Sequence, residues 1–260
     1  SDWMAGLPEA LWDIPLCHLA IPGSHDTMTF DLDATSSLEP SQPQILHTLL
    51  QVVPCITRPI IYSYSHTQDF GVSGQLDIGV RYFDLRIAHY EKDPAEILRY
   101  THGFYTTLTV QVRKEFGCCV CKVVGDYTCS PLALESVLLV HASEKDGIFG
   151  FRPAVALWER GKCIVNNIIY LFVKGDGGYH TADGFFVAGM NLTPDSRYII
   201  ENLRGSIRQM TKGALPVVME WLVQQTPGAA SACVNVIGTD FTVPGVVSTI
   251  ISLNWKLLQR

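Results

Sequence analysis

The sequence is short of charge, and the charge it has leans negative. Asp, Glu, Lys and Arg make up 17% of the 260 residues, and 25 acids outnumber 19 bases for a formal net charge of −6. A dedicated nucleic-acid binder would carry a basic face, so no nucleic-acid partner is expected. The same balance argues against tight capture by an anionic membrane through charge alone. No run of about 18 uncharged apolar residues occurs, so no membrane-crossing helix is expected. Ser1 to Leu11 holds no basic stretch ahead of an apolar run, and Trp255 to Arg260 holds no lipidation box. The expected location is therefore cytoplasmic, with peripheral contact to membranes. Gly 21 and Pro 14 are ordinary amounts beside 47% apolar residues, which excludes disorder, collagen and coiled coil for the whole. Internal repeats and linkers are also missing. The length suits one α/β barrel of roughly 250 residues or two small domains.

Paired C-x2-C knuckles are absent as well. Of the eight cysteines, Cys118, Cys119, Cys121 and Cys129 cluster as C-C-x-C-x7-C. Such thiolates are zinc ligands elsewhere, but this spacing matches no ligand geometry, and no metal is expected. Free thiols in a reducing compartment are the expectation.

What is present is an alternation of strand-like and helix-like segments. Leu16–Ile21, Val80–Ala88, Ile97–Thr101, Cys163–Val173, Gly184–Met190 and Cys233–Ile237 read as strands. Gln44–Val53, Leu132–Ala142, Asp195–Met210, Leu215–Gln225 and Pro244–Leu258 read as helices, with Thr193-Pro194 opening the third. Alternation of this kind predicts an α/β fold with mainly parallel strands.

In such folds the chemistry lies at the carboxyl ends of strands. Ser24-His25-Asp26 follows the first strand, Asp84 and Arg86 lie on the second, His102 follows the third, and Asp240 follows the last. Period two puts Asp84 and Arg86 on one face. An acid and a guanidinium within an apolar strand are costly to bury unless paired or used. Two histidines with carboxylates form a kit for general acid–base work, and an arginine offers a planar fork for phosphate. Together they suit metal-free phosphodiester cleavage. Read singly, His25 fits a loop or capping residue, and Asp84–Arg86 fits a structural ion pair.

The stretches Leu19-Ala-Ile-Pro-Gly-Ser-His25-Asp26-Thr27, Gln75-Leu-Asp-Ile-Gly-Val-Arg-Tyr-Phe-Asp84-Leu-Arg86 and His102-Gly103 resemble the X domain of phosphatidylinositol-specific phospholipase C. The opening Asp2-Trp-Met, Leu11-Trp-Asp-Ile-Pro-Leu16, Phe185-Phe-Val-Ala-Gly-Met-Asn191-Leu-Thr193 and Val236-Ile-Gly-Thr-Asp240-Phe241 resemble the small animal X-domain-containing family, the type 1 branch above all. The resemblance covers about residues 1–112 and 184–260. It implies a TIM-like distorted or incomplete barrel forming one domain, 1–260, with 113–183 divergent or shortened. It also implies roles. His25 would be the general base on the inositol 2-hydroxyl. His102 would be the general acid toward diacylglycerol, with Asp26 as its partner carboxylate. Asp240 would orient the base, and Arg86, beside Asp84, would bind the phosphate where calcium-dependent relatives place a metal ligand. The implied partners are a phosphoinositide lipid and, transiently, a membrane surface; the implied cofactor is none. The altered middle keeps a second reading open: an inactive relative or splice isoform that binds lipid or protein. A metal-dependent glycerophosphodiesterase fits less well, because that chemistry wants Glu-x-Asp where this chain has Asp84-x-Arg86. Asn191-Leu-Thr193 is a glycosylation sequon that needs a secretory route. Trp3 and Trp12 are candidates for membrane insertion against ordinary packing.

Overall fold

A computed structural model describes residues 1–94, 97–111, 139–144, 160–165, 168–173 and 186–259. Its strands are β1 (Ile21–Ser24), β2 (Tyr82–His89), β3 (Ile97–His102), β4 (Phe104–Gln111), β5 (Leu139–Glu144), β6 (Arg160–Val165), β7 (Ile168–Val173), β8 (Val187–Gly189) and β9 (Val236–Thr239). Its helices are α1 (Gln44–Val52), α2 (Pro54–Ser65), α3 (Val72–Ile78), α4 (Ser196–Glu201), α5 (Ile207–Gln224) and α6 (Pro244–Ser252).

Five strands run parallel in the order β8-β9-β1-β2-β5. The last strand, β9, lies beside the first, which is how a (β/α) barrel winds. Among the described residues no pairing joins β5 to β8, so the sheet that they form is not a closed barrel. The sheet is mixed, because β3 pairs antiparallel with the far end of β2, and β4 with β3. Ile87 pairs with both Tyr100 and Glu144, so β3 takes the edge of β2 that β1 vacates. β6 and β7 form a separate antiparallel pair.

Period two assigns each strand residue to a face. Phe83, Leu85 and Ile87 pack with Val72, Leu76 and Ile78 of α3, and Ile237 packs with Leu222 of α5 and Val246 and Ile250 of α6. That is the outer, helix-covered face. Ile21, Val236, Val187 and Tyr82 point the other way and meet Trp3, Leu7 and Leu11. The N-terminal segment thus plugs the barrel from below, and Trp3 Nε1 donates to Gly79 O at 2.8 Å. Burying each large apolar side chain of this plug contributes about 1.5–3 kcal/mol. Trp3 is therefore a packing residue. Trp12 stays 64% exposed, its Nε1 donating to Leu7 O.

Several elements differ from the sequence reading. The first strand begins at Ile21 and runs through Pro22-Gly23, while Leu16–His18 is a 3-10 turn. Pro22 is tolerated because its carbonyl, not an N–H, meets the β2 side, accepting from Arg81 N. Residues 139–142 belong to a strand rather than a helix. The short apolar run at 137–140 fits a strand or a helix alike by periodicity. The expected helix over 195–210 is two. Gly205 presses against Tyr64 Oη and Asn202 O, where a Cβ would sit at 2.6 and 2.9 Å, and Ser206 caps α5 by accepting from Gln209 N. The cap of α4 is Asp195, which accepts from Tyr198 N, rather than Thr193-Pro194. The last strand is shifted to 236–239, and α6 gives way to a 3-10 stretch at 253. Cys17 and Cys233 are buried and Cys55 is exposed. Cys118, Cys119, Cys121 and Cys129 lie outside the described residues.

Gly23, Gly238 and Gly189 share one inward row. A Cβ on Gly23 would meet Tyr82 Cδ1 at 2.8 Å, Val236 Cγ1 at 3.2 Å and the Gly238 backbone at 3.3 Å, whereas one on Gly238 meets nothing within 4 Å among the described residues. Gly23→Ala is therefore expected to destabilise by about 1–3 kcal/mol, and Gly238→Ala by much less. Urea unfolding of both variants checks this, and equal midpoints would contradict the register given above.

Candidate functional site

Residues from both ends of the chain meet above the glycine row. His25 leaves β1 with its N–H bonded to Thr239 O at 3.1 Å, which ties the end of β1 to the end of β9. Asp26 follows with φ 46°. Consecutive residues of an extended chain point to opposite faces; the left-handed turn at Asp26, a conformation Asp tolerates, lets both side chains reach inward. Asp84 and Arg86 rise on the inward face of β2, and Asp240 ends β9. His102 ends β3, followed by Gly103 at φ +76°, where a Cβ would lie 2.5 Å from Ser65 Oγ.

The distances form one network. His25 Nδ1 lies 2.8 Å from Asp240 Oδ1. His25 Nε2 lies 3.2 Å from Asp26 Oδ2 and 2.9 Å from Arg86 Nη2. Arg86 Nε is 2.7 Å from Asp26 Oδ1, and its Nη2 is 3.1 Å from Asp84 Oδ2. His102 Nε2 is 3.2 Å from Asp26 Oδ2, and its Nδ1 lies 2.7 Å from Ser65 O. The Ser65 carbonyl can only accept, so His102 Nδ1 carries a proton. The two imidazole rings are 6.2 Å apart and nearly perpendicular at 76°. All six residues singled out in the sequence, His25, Asp26, Asp84, Arg86, His102 and Asp240, come together here.

Electrostatics follow from burial and neighbours. Burial alone pushes the His25 pKa down, but the Asp26 and Asp240 carboxylates outweigh it and raise the pKa to about 9. Burial holds the Asp240 carboxyl above the usual range, with His25 pulling it partly back. Burial lowers the Arg86 pKa, and Asp26 and Asp84 more than restore it. A guanidinium can only donate, so at the 2.9 Å contact His25 Nε2 accepts and Nδ1–H faces Asp240. A protonated His25 would turn its Nε2–H to Asp26 instead. The raised pKa makes that protonated form the resting one near neutrality.

Residues that sequence reasoning missed hold these groups in place. Gln68 Nε2 donates to His25 O and Thr239 O, at 2.9 and 2.8 Å, locking the two strand ends together. Thr67 Oγ1 donates to His25 O at 3.2 Å, and Gln75 Nε2 to Thr27 O at 3.1 Å. Glu39 holds both neighbours of His102: Thr101 Oγ1 donates to Glu39 Oε2 at 2.9 Å, and Glu39 N donates to Gly103 O at 2.8 Å. The polar run Ser65-His66-Thr67-Gln68 after an apolar helix was the available signal. Glu39 sits in a polar loop and gave none.

His25, Asp26 and Asp84 offer ligand atoms within 4.8 Å of one another, the spacing of a metal site. Arg86 already contacts both carboxylates, so a divalent cation would meet a guanidinium. The donor set does not fit a metal ion.

This geometry on a distorted parallel barrel defines a phospholipase-C-like fold. Solved structures agree: a double mutant of the phosphatidylinositol-specific phospholipase C from S. aureus superposes with TM-score 0.52 at 14% identity over 97% of this chain and 96% of that one, as does a pentafluoro-Phe form of the same enzyme. The chain belongs to the PI-PLC X domain-containing protein family. It is 33% identical to the type 1 protein of Mus musculus, covering all of this chain and 88% of that one. It is 36% identical to the Danio rerio type 1 protein over 93% of this chain and 91% of that one. Against the type 3 protein of Homo sapiens identity is 27%. No family model matches the chain.

The carboxylate that sets the His25 pKa is testable directly. In Asp240→Asn the His25 pKa is expected to fall from about 9 toward the ordinary histidine value, because both the charge and the hydrogen bond of Asp240 that oppose burial are lost. An NMR titration of the imidazole carbons reads it; an unchanged value would refute the electrostatic account.

Proposed function

We propose that this protein is a phosphoric diester hydrolase of the phospholipase C type that cleaves phosphatidylinositol-like lipids without a metal ion. The observation that supports it most is the placing of two imidazole Nε2 atoms against one carboxylate oxygen, with a guanidinium beside them. In the proposed reaction His25 Nε2 takes the proton of the inositol 2-hydroxyl, and that oxygen forms a bond to phosphorus. The phosphorus–oxygen bond to diacylglycerol breaks, and His102 Nε2 returns a proton to the leaving oxygen. The products are diacylglycerol and a cyclic inositol phosphate. Asp240 holds the base in its tautomer, Asp26 and Asp84 hold Arg86, and Arg86 stabilises the charge growing on the phosphoryl oxygens. The domain is read as a single unit, 1–260, with 113–183 shortened. The alignment with the mouse relative runs over 303 positions against 260 residues here. No helix among the described residues is long and apolar enough to cross a membrane. The lipid is reached, on this reading, by transient contact with a bilayer surface from the cytoplasm.

The test is release of water-soluble inositol phosphate from phosphatidylinositol vesicles, with chelator and with calcium. Turnover is expected in chelator, with losses of about 10²–10⁴ in His25→Ala and in His102→Ala. Because His25 must shed its proton to act, kcat/KM is expected to rise with pH toward about 9, and Asp240→Asn to move that limb to lower pH. Turnover that needs calcium would contradict the role given to Arg86. A folded chain with no turnover would favour the lipid- or protein-binding reading.

A further inference from the structure

The inward rows of the barrel advance together. Two residues beyond the row of Gly189, Gly238 and Gly23 come Asn191, Asp240 and His25, with Asp84 two beyond Tyr82. Ladder bonds from Met190 N to Gly238 O and from His25 N to Thr239 O carry the alignment past the strand ends. Three of these four residues belong to the acid–base network, and Asn191 does not. It is 6% exposed, and among the described residues nothing hydrogen-bonds its carboxamide. Its direction is fixed by Gly189: a Cβ there would lie 2.5 Å from Asn191 Oδ1. The amide therefore folds back over the inward side of β8, in the space that Gly189 leaves. The floor next to it is also bare among the described residues, because a Cβ on Gly238 would meet none of them within 4 Å. A mostly buried amide beside the network that makes no hydrogen bond among the described residues has its donors and acceptor available to a ligand. Burial also removes Asn191 from glycosylation of the folded chain.

A carboxamide brings two donors, one acceptor and no charge. That set matches hydroxyl groups, which both donate and accept. It does not match a phosphate, for which the inward row among the described residues offers Arg86 as its cation. We propose that Asn191 reads a ring hydroxyl of a cyclic polyol headgroup, and selects hydroxyl over phosphate at that position of the ring. This rests on the phospholipase reading for the identity of the headgroup, and adds to it a specificity-determining residue.

The experiment compares the intact chain with Asn191→Leu, which removes the amide, and Gly189→Ala, which displaces it. Binding of myo-inositol 1-phosphate and of inorganic phosphate is followed by NMR titration, with thermal unfolding of each variant alongside. Both variants are expected to bind myo-inositol 1-phosphate about tenfold or more weakly. Inorganic phosphate binding should be unchanged, and the unfolding midpoint of Asn191→Leu unchanged or raised. Equal affinity of Asn191→Leu for the inositol phosphate would overturn the proposal. So would wild-type binding no tighter than that of inorganic phosphate. Vesicle turnover is measured on the same samples. An inactive wild type that binds the inositol phosphate through Asn191 would refute the catalytic reading and leave this inference standing.

Discussion

Asp26 is 3% exposed, and three side chains able to carry positive charge close on its two oxygens. A carboxylate taken out of water must be compensated by close partners, or it neutralises. Here Arg86 takes one oxygen, and both histidines take the other. The position of each ring is therefore coupled to the same charge. Removing Asp26 would leave Arg86 and two imidazoles without their common anchor, and Asp84 would be left to hold the arginine alone. The left-handed turn at Asp26 is what gives this carboxylate access, because an extended residue after His25 would face the helices.

Around that anchor the protein uses backbone rather than charge. His102 is held by a carbonyl at the end of α2, and its two neighbours are tied to Glu39. His25 is held by its strand, by Gln68 and by Asp240. The base side of the site is thus built on the β1–β9 seam, and the acid side on the β3–β4 hairpin with α2. Arg86 on β2 lies between them. Since β1 and β3 follow one another along the same edge of β2, the two histidines reach one space from different strands.

Much of this was legible in the chain. An acid and an arginine two apart on an apolar strand, and a histidine after a Pro-Gly-Ser stretch, are local signals that survive without a structure. The role of Asp240 rested on a three-residue match, and the geometry brings it to 2.8 Å from His25. The strand at 139–144 was misread because the apolar run 137–140 shows no alternation to mark a strand. The helical break at 202–206 was missed because its cause is tertiary: Tyr64, from α2, occupies the space beside Gly205. Gln68 and Glu39 were invisible for the same reason. Their work is done on backbone atoms far away in sequence, and no spacing rule encodes that.

The pairing of β9 with β1 has a kinetic side. His25 and Asp240 are 215 residues apart, and the bond between them closes nearly the whole chain into a loop. Contacts of such sequence separation form late, because the loop entropy is lost before the contact returns anything. During synthesis β1 emerges early and waits, with one edge unpaired, until β9 has left the ribosome. Closure of the β1–β9 seam is also the step that brings His25 to Asp240, so the fold and the base side of the site depend on the same long-range contact.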